Sequence, residues 1–215
     1  MLTIKTFVFN PITENCYILY DSLHEAVIID PGNYTEDENE VLAHFIESEN
    51  LKVKYILNTH PHVDHVIGND FCKKKFAAPL LMHQKGLGVY RFAPHYCVAF
   101  GLDAPEFPQA DGFLNDGDEI CFGEQKLQVL YTPGHTSGCV SFYNAENNAV
   151  FVGDALFKGS IGRTDLPTGD LELLLESIRT KLFSLPDKTI VYSGHGESST
   201  IADEKTNNPY FNRFN

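Results

Sequence analysis

The sequence predicts a mixed α/β fold in which two mixed β-sheets pack face to face and helices cover their outer surfaces. Three observations carry that reading. Short β-branched and aromatic runs joined by turn signals recur in both halves, amphipathic helical periods occur in each half, and hairpins outnumber strand–helix–strand units. A single doubly wound parallel sheet would need a more regular alternation, and neither common Gly-rich phosphate loop is present.

LTIKTFVF, CYILY and AVIID open the chain as strands, the last ending at Pro31-Gly32. Thr35 and Glu38 have the spacing of a capping box. They start a helix whose apolar face is Val41, Leu42, Phe45 and Ile46. The run VKYILNT (residues 53–59) predicts a strand that delivers the chain into a cluster of histidines, and a helix is expected over residues 65–76. Residues 84–112, punctuated by Gly86, Gly88, Pro94, Pro105 and Pro108, show no regular period, and the Phe92–Phe100 stretch within them reads, with Tyr131, as core or lid packing. After Asn115-Asp116-Gly117-Asp118 the strands resume as EICF, KLQVLYT, CVSFY and AVFVG. Asp170 caps a helix with Leu171, Leu174, Leu175, Ile178 and Leu182 on one face, ended before Pro186. The strand TIVYS and a short helix near residues 201–205 follow.

A chain of 215 residues, 43% hydrophobic and 21% charged, is expected to form a single soluble domain over residues 1–215 with a core that needs no disulfide. No apolar run approaches the roughly 18 residues of a membrane helix, and the N-terminus lacks a secretory pattern. The formal net charge of −13 argues against nucleic acid or an anionic membrane as partner and leaves a small-molecule substrate. The five cysteines contain no C-x-x-C pair and read as thiols of a reducing compartment, the cytoplasm.

The histidines carry the chemistry. Three short segments each follow a predicted strand: Thr59-His60-Pro61-His62-Val63-Asp64-His65, Thr132-Pro133-Gly134-His135-Thr136 and Ser193-Gly194-His195-Gly196. Asp154, at the end of the AVFVG strand, joins them by position. The pattern H-x-H-x-D-H is expected by chance in about 0.001 of chains of this composition. In an extended stretch His60 and His62 point to the same side and reach one cation. Asp64 and His65 begin the next helix and turn toward a second cation, and Asp154 is the natural carboxylate to bridge the two. These nitrogen and oxygen donors fit Zn²⁺, and equally Fe or Mn. Two such ions lower the pKa of a shared water toward 7. His24, His44, His83 and His95 read as packing or surface residues, and Ser137 and Cys139 as structural.

The segments THPHVDH, GHT, GDALF and SGHG, in that order, resemble the metallo-β-lactamase-fold hydrolases over essentially the whole chain. The resemblance implies an αββα sandwich. GSIGRTDLP and the tail TIADEKTNNPYF are similar to the short glyoxalase II-like hydrolases. By that similarity His60, His62 and His135 hold one metal, Asp64, His65 and His195 a second, and Asp154 bridges. Hydrolysis of a small 2-hydroxyacyl thioester such as S-lactoylglutathione is then expected, with Asp64 also orienting the nucleophile; Lys158 and Arg163, close after Asp154, read either as meeting a substrate carboxylate at the rim or as a solvated basic loop. Two departures shape the expectation. The best-known zinc β-lactamases have a cysteine where Asp154 stands, which argues against antibiotic hydrolysis. Authentic glyoxalase II enzymes carry a further glutathione-gripping helical domain that this sequence does not match, so weak demand for the glutathione half is expected. The rival reading is a mono-iron persulfide dioxygenase of the same fold, which shares a G-R-T-D segment like residues 162–165. An RNA-processing nuclease of this fold conflicts with the acidic charge. A non-enzymatic binding module would call for a missing ligand, and none is missing.

Overall fold

The computed structural model describes residues 1–212. Strands β1 (Thr3–Phe9), β2 (Glu14–Tyr20) and β3 (Glu25–Ile29) form an antiparallel meander. Helix α1 (Glu36–Ser48) then crosses to β4 (Lys52–Leu57), which pairs parallel with β3. Its N-terminus carries the expected capping box between Thr35 and Glu38. Helices α2 (Val63–Val66) and α3 (Asn69–Phe76) lead to β5 (Leu80–His83), parallel to β4. Helices α4 (Leu87–Tyr90) and α5 (Ala93–Ala99) precede β6 (Gly112–Leu114), parallel to β5.

The second half builds a second sheet from β7 (Glu119–Phe122), β8 (Gln125–Tyr131), β9 (Val140–Asn144) and β10 (Ala149–Gly153), each antiparallel to the next. A small hairpin, β11 (Leu156–Phe157) with β12 (Ser160–Ile161), leads on to α6 (Leu171–Ser177). Strand β13 (Ile190–Ser193) pairs parallel with β10, and β14 (Ser199–Thr200) runs into α7 (Ile201–Asn207). Among the described residues the strands form two six-stranded mixed sheets, ordered β1-β2-β3-β4-β5-β6 and β14-β13-β10-β9-β8-β7.

Alternate side chains place three cores between four layers. Cys16 and Ile18 of β2 and Ala26 and Ile28 of β3 pack with Leu42 and Ile46 of α1. The intervening Leu19, Val27 and Ile29 meet Leu127, Val129, Phe142 and Phe151 between the sheets. On the far face Val150, Val152 and Val191 pack against Leu174, Ile178 and Ile201. Because β3 and β10 are covered on both faces, AVII and AVFV read as continuous apolar runs. The expected αββα sandwich is the fold observed.

Several elements differ from the sequence reading. The helix expected over residues 65–76 is two helices. They part at Gly68, where a Cβ would lie 2.3 Å from Asn33 Oδ1 and 2.7 Å from the Pro31 carbonyl oxygen, so only glycine allows that approach. The strand expected over residues 53–59 ends at Leu57, leaving the histidine segment free to turn. The irregular 84–112 segment holds α4 and α5, with Pro94 in the first turn of α5. The helix face through Leu182 is regular only to Ser177 and finishes as a wide turn over Ile178–Leu182.

Candidate metal centre

The ligand segments leave β4, β8, β10 and β13 on one rim, and hydrogen bonds between the two sheets tie them together. Val140 N–H donates to the Thr59 carbonyl at 2.8 Å, Asn15 N–H to that of Gly194 at 2.7 Å, and Tyr17 Oη–H to that of Ser193 at 2.6 Å. The register of β10 against β13 shifts between Phe151 and Gly153, and this bulge aims the next residue, Asp154, into the rim. At Gly194 a Cβ would lie 2.3 Å from Asp154 Oδ1 and 2.5 Å from His65 Cε1, so any side chain there would occupy the site.

Every sequence-predicted ligand arrives in one place. Nitrogens of His60, His62 and His135 form one group, with His135 Nε2 2.8 Å from His62 Nδ1 and 3.2 Å from His60 Nε2. Asp64, His65 and His195 form another, with Asp64 Oδ2 3.1 Å from His195 Nε2 and 3.5 Å from His65 Nε2. Asp154 stands between them. Its Oδ1 is 3.4 Å from His65 Nε2, and its Oδ2 is 3.6 Å from His135 Nε2 and 3.7 Å from His195 Nε2.

Oxygen acceptors behind the rings set their tautomers. His60 Nδ1–H donates to Thr59 Oγ1 (3.1 Å), whose own hydroxyl donates to Asp30 Oδ2 (2.5 Å). His65 Nδ1–H also donates to Asp30 Oδ2 (3.0 Å), while Thr59 N–H donates to Asp30 Oδ1 (2.7 Å). His135 Nδ1–H donates to the Arg163 carbonyl (2.7 Å) and His195 Nδ1–H to that of Thr13 (3.2 Å). In the neutral tautomer that binds a metal, each of these four rings therefore turns a bare Nε2 inward. Converging lone pairs cannot satisfy one another, and buried His65 Nε2 and Asp154 Oδ1 have no hydrogen-bond partner. A divalent cation would supply what is missing, and the donor set fits one.

Electrostatics divides the two groups. Burial, helped by neighbouring imidazoles, holds His60 well below the usual histidine range and lowers His62 to about 4; His135 is also lowered, chiefly by burial. For His65 burial acts in the same direction, but Asp64 and Asp154 outweigh it and raise the ring well above its ordinary value. His195 is raised against burial by its hydrogen bond to Asp64 and by Asp154. Asp64 and Asp154 are both lowered, because His65 and its fellow histidines overcome the cost of burial.

Above the donors lies a cavity of about 260 Å³, floored by His62, Asp64, His135, Asp154 and His195 and walled by Ile12, Val63, Tyr96, Phe100, Arg163 and Leu166. Arg163 lines it, with Nε and Nη2 held by Asp165 at 2.8 and 2.7 Å. Lys158 does not line it and pairs with Glu197 at 2.5 Å on the β11–β12 turn. His24, His44, His83 and His95 lie outside the metal-ligating groups found among the described residues. Cys139 is buried and accepts from Thr136 N–H (3.2 Å), while Ser137 Oγ–H donates to the Lys85 carbonyl (3.1 Å).

Sequence reasoning missed Asp30, Thr59 and Glu14, the last completely buried with Oε1 3.9 Å from His65 Nδ1. Asp30 carried a faint signal, a carboxylate closing an apolar run before Pro-Gly. Glu14 carried none.

The pattern of the metallo-beta-lactamase superfamily matches residues 10–195. Hydroxyacylglutathione hydrolase GloC of Haemophilus influenzae is 38% identical over 206 residues, 93% of each chain. Among solved structures, the B3 metallo-beta-lactamase BLEG-1 superposes with a TM-score of 0.86 at 36% identity, covering 98% of this chain and 100% of its own. TTHA1623, solved in a di-iron-bound form, gives 0.87 at 36% identity over 96% and 99%. A match of that length, joined to relatives covered over more than nine-tenths of their own chains, makes this protein a member of the metallo-beta-lactamase superfamily and a metallo-hydrolase within it.

Proposed function

We propose that the protein hydrolyses a small 2-hydroxyacyl thioester, of the S-lactoylglutathione kind, with two divalent cations at the rim. The observation that carries this reading is Asp154, whose two oxygens face both nitrogen groups at 3.4–3.7 Å. His60, His62 and His135 would hold one ion and Asp64, His65 and His195 the other, with Asp154 between the two groups. The donors suit zinc, and the same set takes iron or manganese; the di-iron form of TTHA1623 supports a two-metal site. When bound, such ions activate water at neutral pH and polarise a carbonyl.

The chain's own residues do the rest. Asp64 places Oδ2 against His195, which leaves its second oxygen to orient the attacking water and accept its proton. The water oxygen bonds to the acyl carbon, the C–S bond breaks, and the sulfur leaves as a thiolate that needs little acid assistance. Asp30 and the Arg163 carbonyl keep His65 and His135 turned toward the metals. Arg163, on the cavity wall, is placed to meet the polar end of the substrate, while Lys158, outside the cavity and paired with Glu197, reaches only a carrier left outside. The name of GloC supports the thioester. A small-molecule partner and a cytoplasmic setting complete the proposal, in keeping with five unpaired cysteines; among the described residues no helix is long and apolar enough to cross a membrane.

One experiment tests this. Metal-analysed protein is assayed with S-lactoylglutathione, a β-lactam and glutathione persulfide, with an oxygen electrode in place. Two ions per chain, thioester turnover and no oxygen uptake are expected. At most one ion with oxygen uptake on the persulfide hands the function to the dioxygenase. Preferred cleavage of the β-lactam, the activity in the name of BLEG-1, also overturns the proposal.

A further inference from the structure

The cavity above the metal donors has a polar floor and apolar walls, and this division goes beyond what thioester hydrolysis requires. Helix α5 rests on α2, the helix that carries Asp64 and His65. Cys97 is buried in one cluster with Val63 and Ile67. With Cys97 facing inward, Tyr96 and Phe100, four residues apart and so on one side of the helix, turn to the cavity. Phe100 remains 60% exposed and stands over a charged floor. Ile12, on the turn between β1 and β2, and Leu166, beyond the β11–β12 hairpin, complete the apolar wall.

Resting on the thioester reading, we infer that Tyr96, Phe100, Ile12 and Leu166 form an acyl-chain site that selects 2-hydroxyacyl groups by the apolar length of their side chain and leaves the thiol carrier outside. A 2-hydroxyacyl group has a matching division, since its carbonyl and hydroxyl are polar and the carbons beyond them are not. Size points the same way. A volume of about 260 Å³ falls below the roughly 300–1,000 Å³ of pockets that enclose a drug-sized ligand, so it takes the acyl group and the thioester but not a tripeptide carrier as well. Discrimination then resides in how much apolar surface the wall takes from water, and the wall acts on whichever part of the chain is fixed in the transition state.

The test uses metal-loaded protein and N-acetylcysteamine thioesters of glycolic, lactic, 2-hydroxybutyric and 2-hydroxyhexanoic acids. kcat/KM is expected to rise about threefold per added methylene until the cavity is full. Phe100→Ala should lower that increment to below about 1.5-fold, Ile12→Ala should lower it in part, and Phe92→Ala, an exposed aromatic outside the cavity, should leave it alone. Calorimetric titration with the free 2-hydroxy acids reads the same increment without turnover. An increment that is absent, or that survives Phe100→Ala unchanged, overturns the inference. Chain-length-dependent acid binding abolished by Phe100→Ala, with no thioester hydrolysed, supports the site and sinks the hydrolase reading alone.

Discussion

Glu14 stands in an environment opposed to what a carboxylate prefers. It is fully buried on β2, and neither carboxylate oxygen has a hydrogen-bond partner. Burial, reinforced by the charges of Asp30, Asp64 and Asp154 and opposed by His65, holds its carboxyl well above the ordinary value of 4.5. In the metal-free protein the folded state therefore keeps this proton at a pH where the unfolded chain has released it. Its contribution to stability is complete below 4.5 and declines as pH rises through the folded value. Glu14→Gln cannot ionise and should lack that decline. In chelator-treated protein the Tm difference, variant minus wild type, should grow from pH 4.5 toward neutrality, by about 2–4 °C for each kcal/mol relieved. Thermal melts across that range check this, and a difference independent of pH would show that Glu14 is ionised in the fold.

The tail helix α7 and the β11–β12 hairpin illustrate how one element positions another. Glu204 is buried, and its carboxylate accepts from Gly159 N–H at 3.0 and 3.2 Å and from Asn208 Nδ2 at 2.7 Å. Asn208 Nδ2 also donates to the Ser160 carbonyl at 3.0 Å. These bonds clamp the hairpin from which the chain runs on to Arg163, whose carbonyl orients His135. Glu204→Ala removes the acceptor of the Gly159 N–H and one of the two acceptors of the buried Asn208 amide, and should destabilise the protein by about 1–3 kcal/mol in urea unfolding. Glu176→Ala, on the exposed side of α6, should change stability by less than about 0.5 kcal/mol. Equal effects would mean that the clamp carries no stability.

At the scale of the molecule, the site exists because two sheets with different strand orders end at the same rim. Asp30, His60 and His62 come from the first sheet's strands or the segments that follow them, and His135, Asp154 and His195 come from the second. The inter-sheet core of Leu19, Ile29, Phe142 and Phe151 sets the distance across which the donors meet. The cavity above those donors, about 260 Å³, falls below the roughly 300 Å³ of pockets that enclose a drug-sized ligand. Replacing glutathione by N-acetylcysteamine in the lactoyl thioester should therefore cost less than about tenfold in kcat/KM, roughly 1.4 kcal/mol. Steady-state kinetics on the two thioesters measure it. A loss a hundred times larger would reveal a carrier site on the surface.

His60, His62, Asp64 and His65 were legible in the sequence because a metal site takes several donors from one short segment, and chance seldom produces that spacing. The two sheets were legible for a similar reason: a strand buried on one face or both writes its burial locally, as in AVII or AVFV. Helix α5 was not legible, because seven residues with a proline in the first turn have no amphipathic period to show, and packing of Cys97 on α2 holds them helical. Asp30 and Glu14 were not legible either. Their partners lie 35 and 51 residues along the chain at His65, and such a contact leaves no pattern in either segment. The sequence by itself determined the kind of chemistry and the layers that carry it. Which side chains stand behind the histidines, and which apolar residues close over them, only the packing of the two sheets decided.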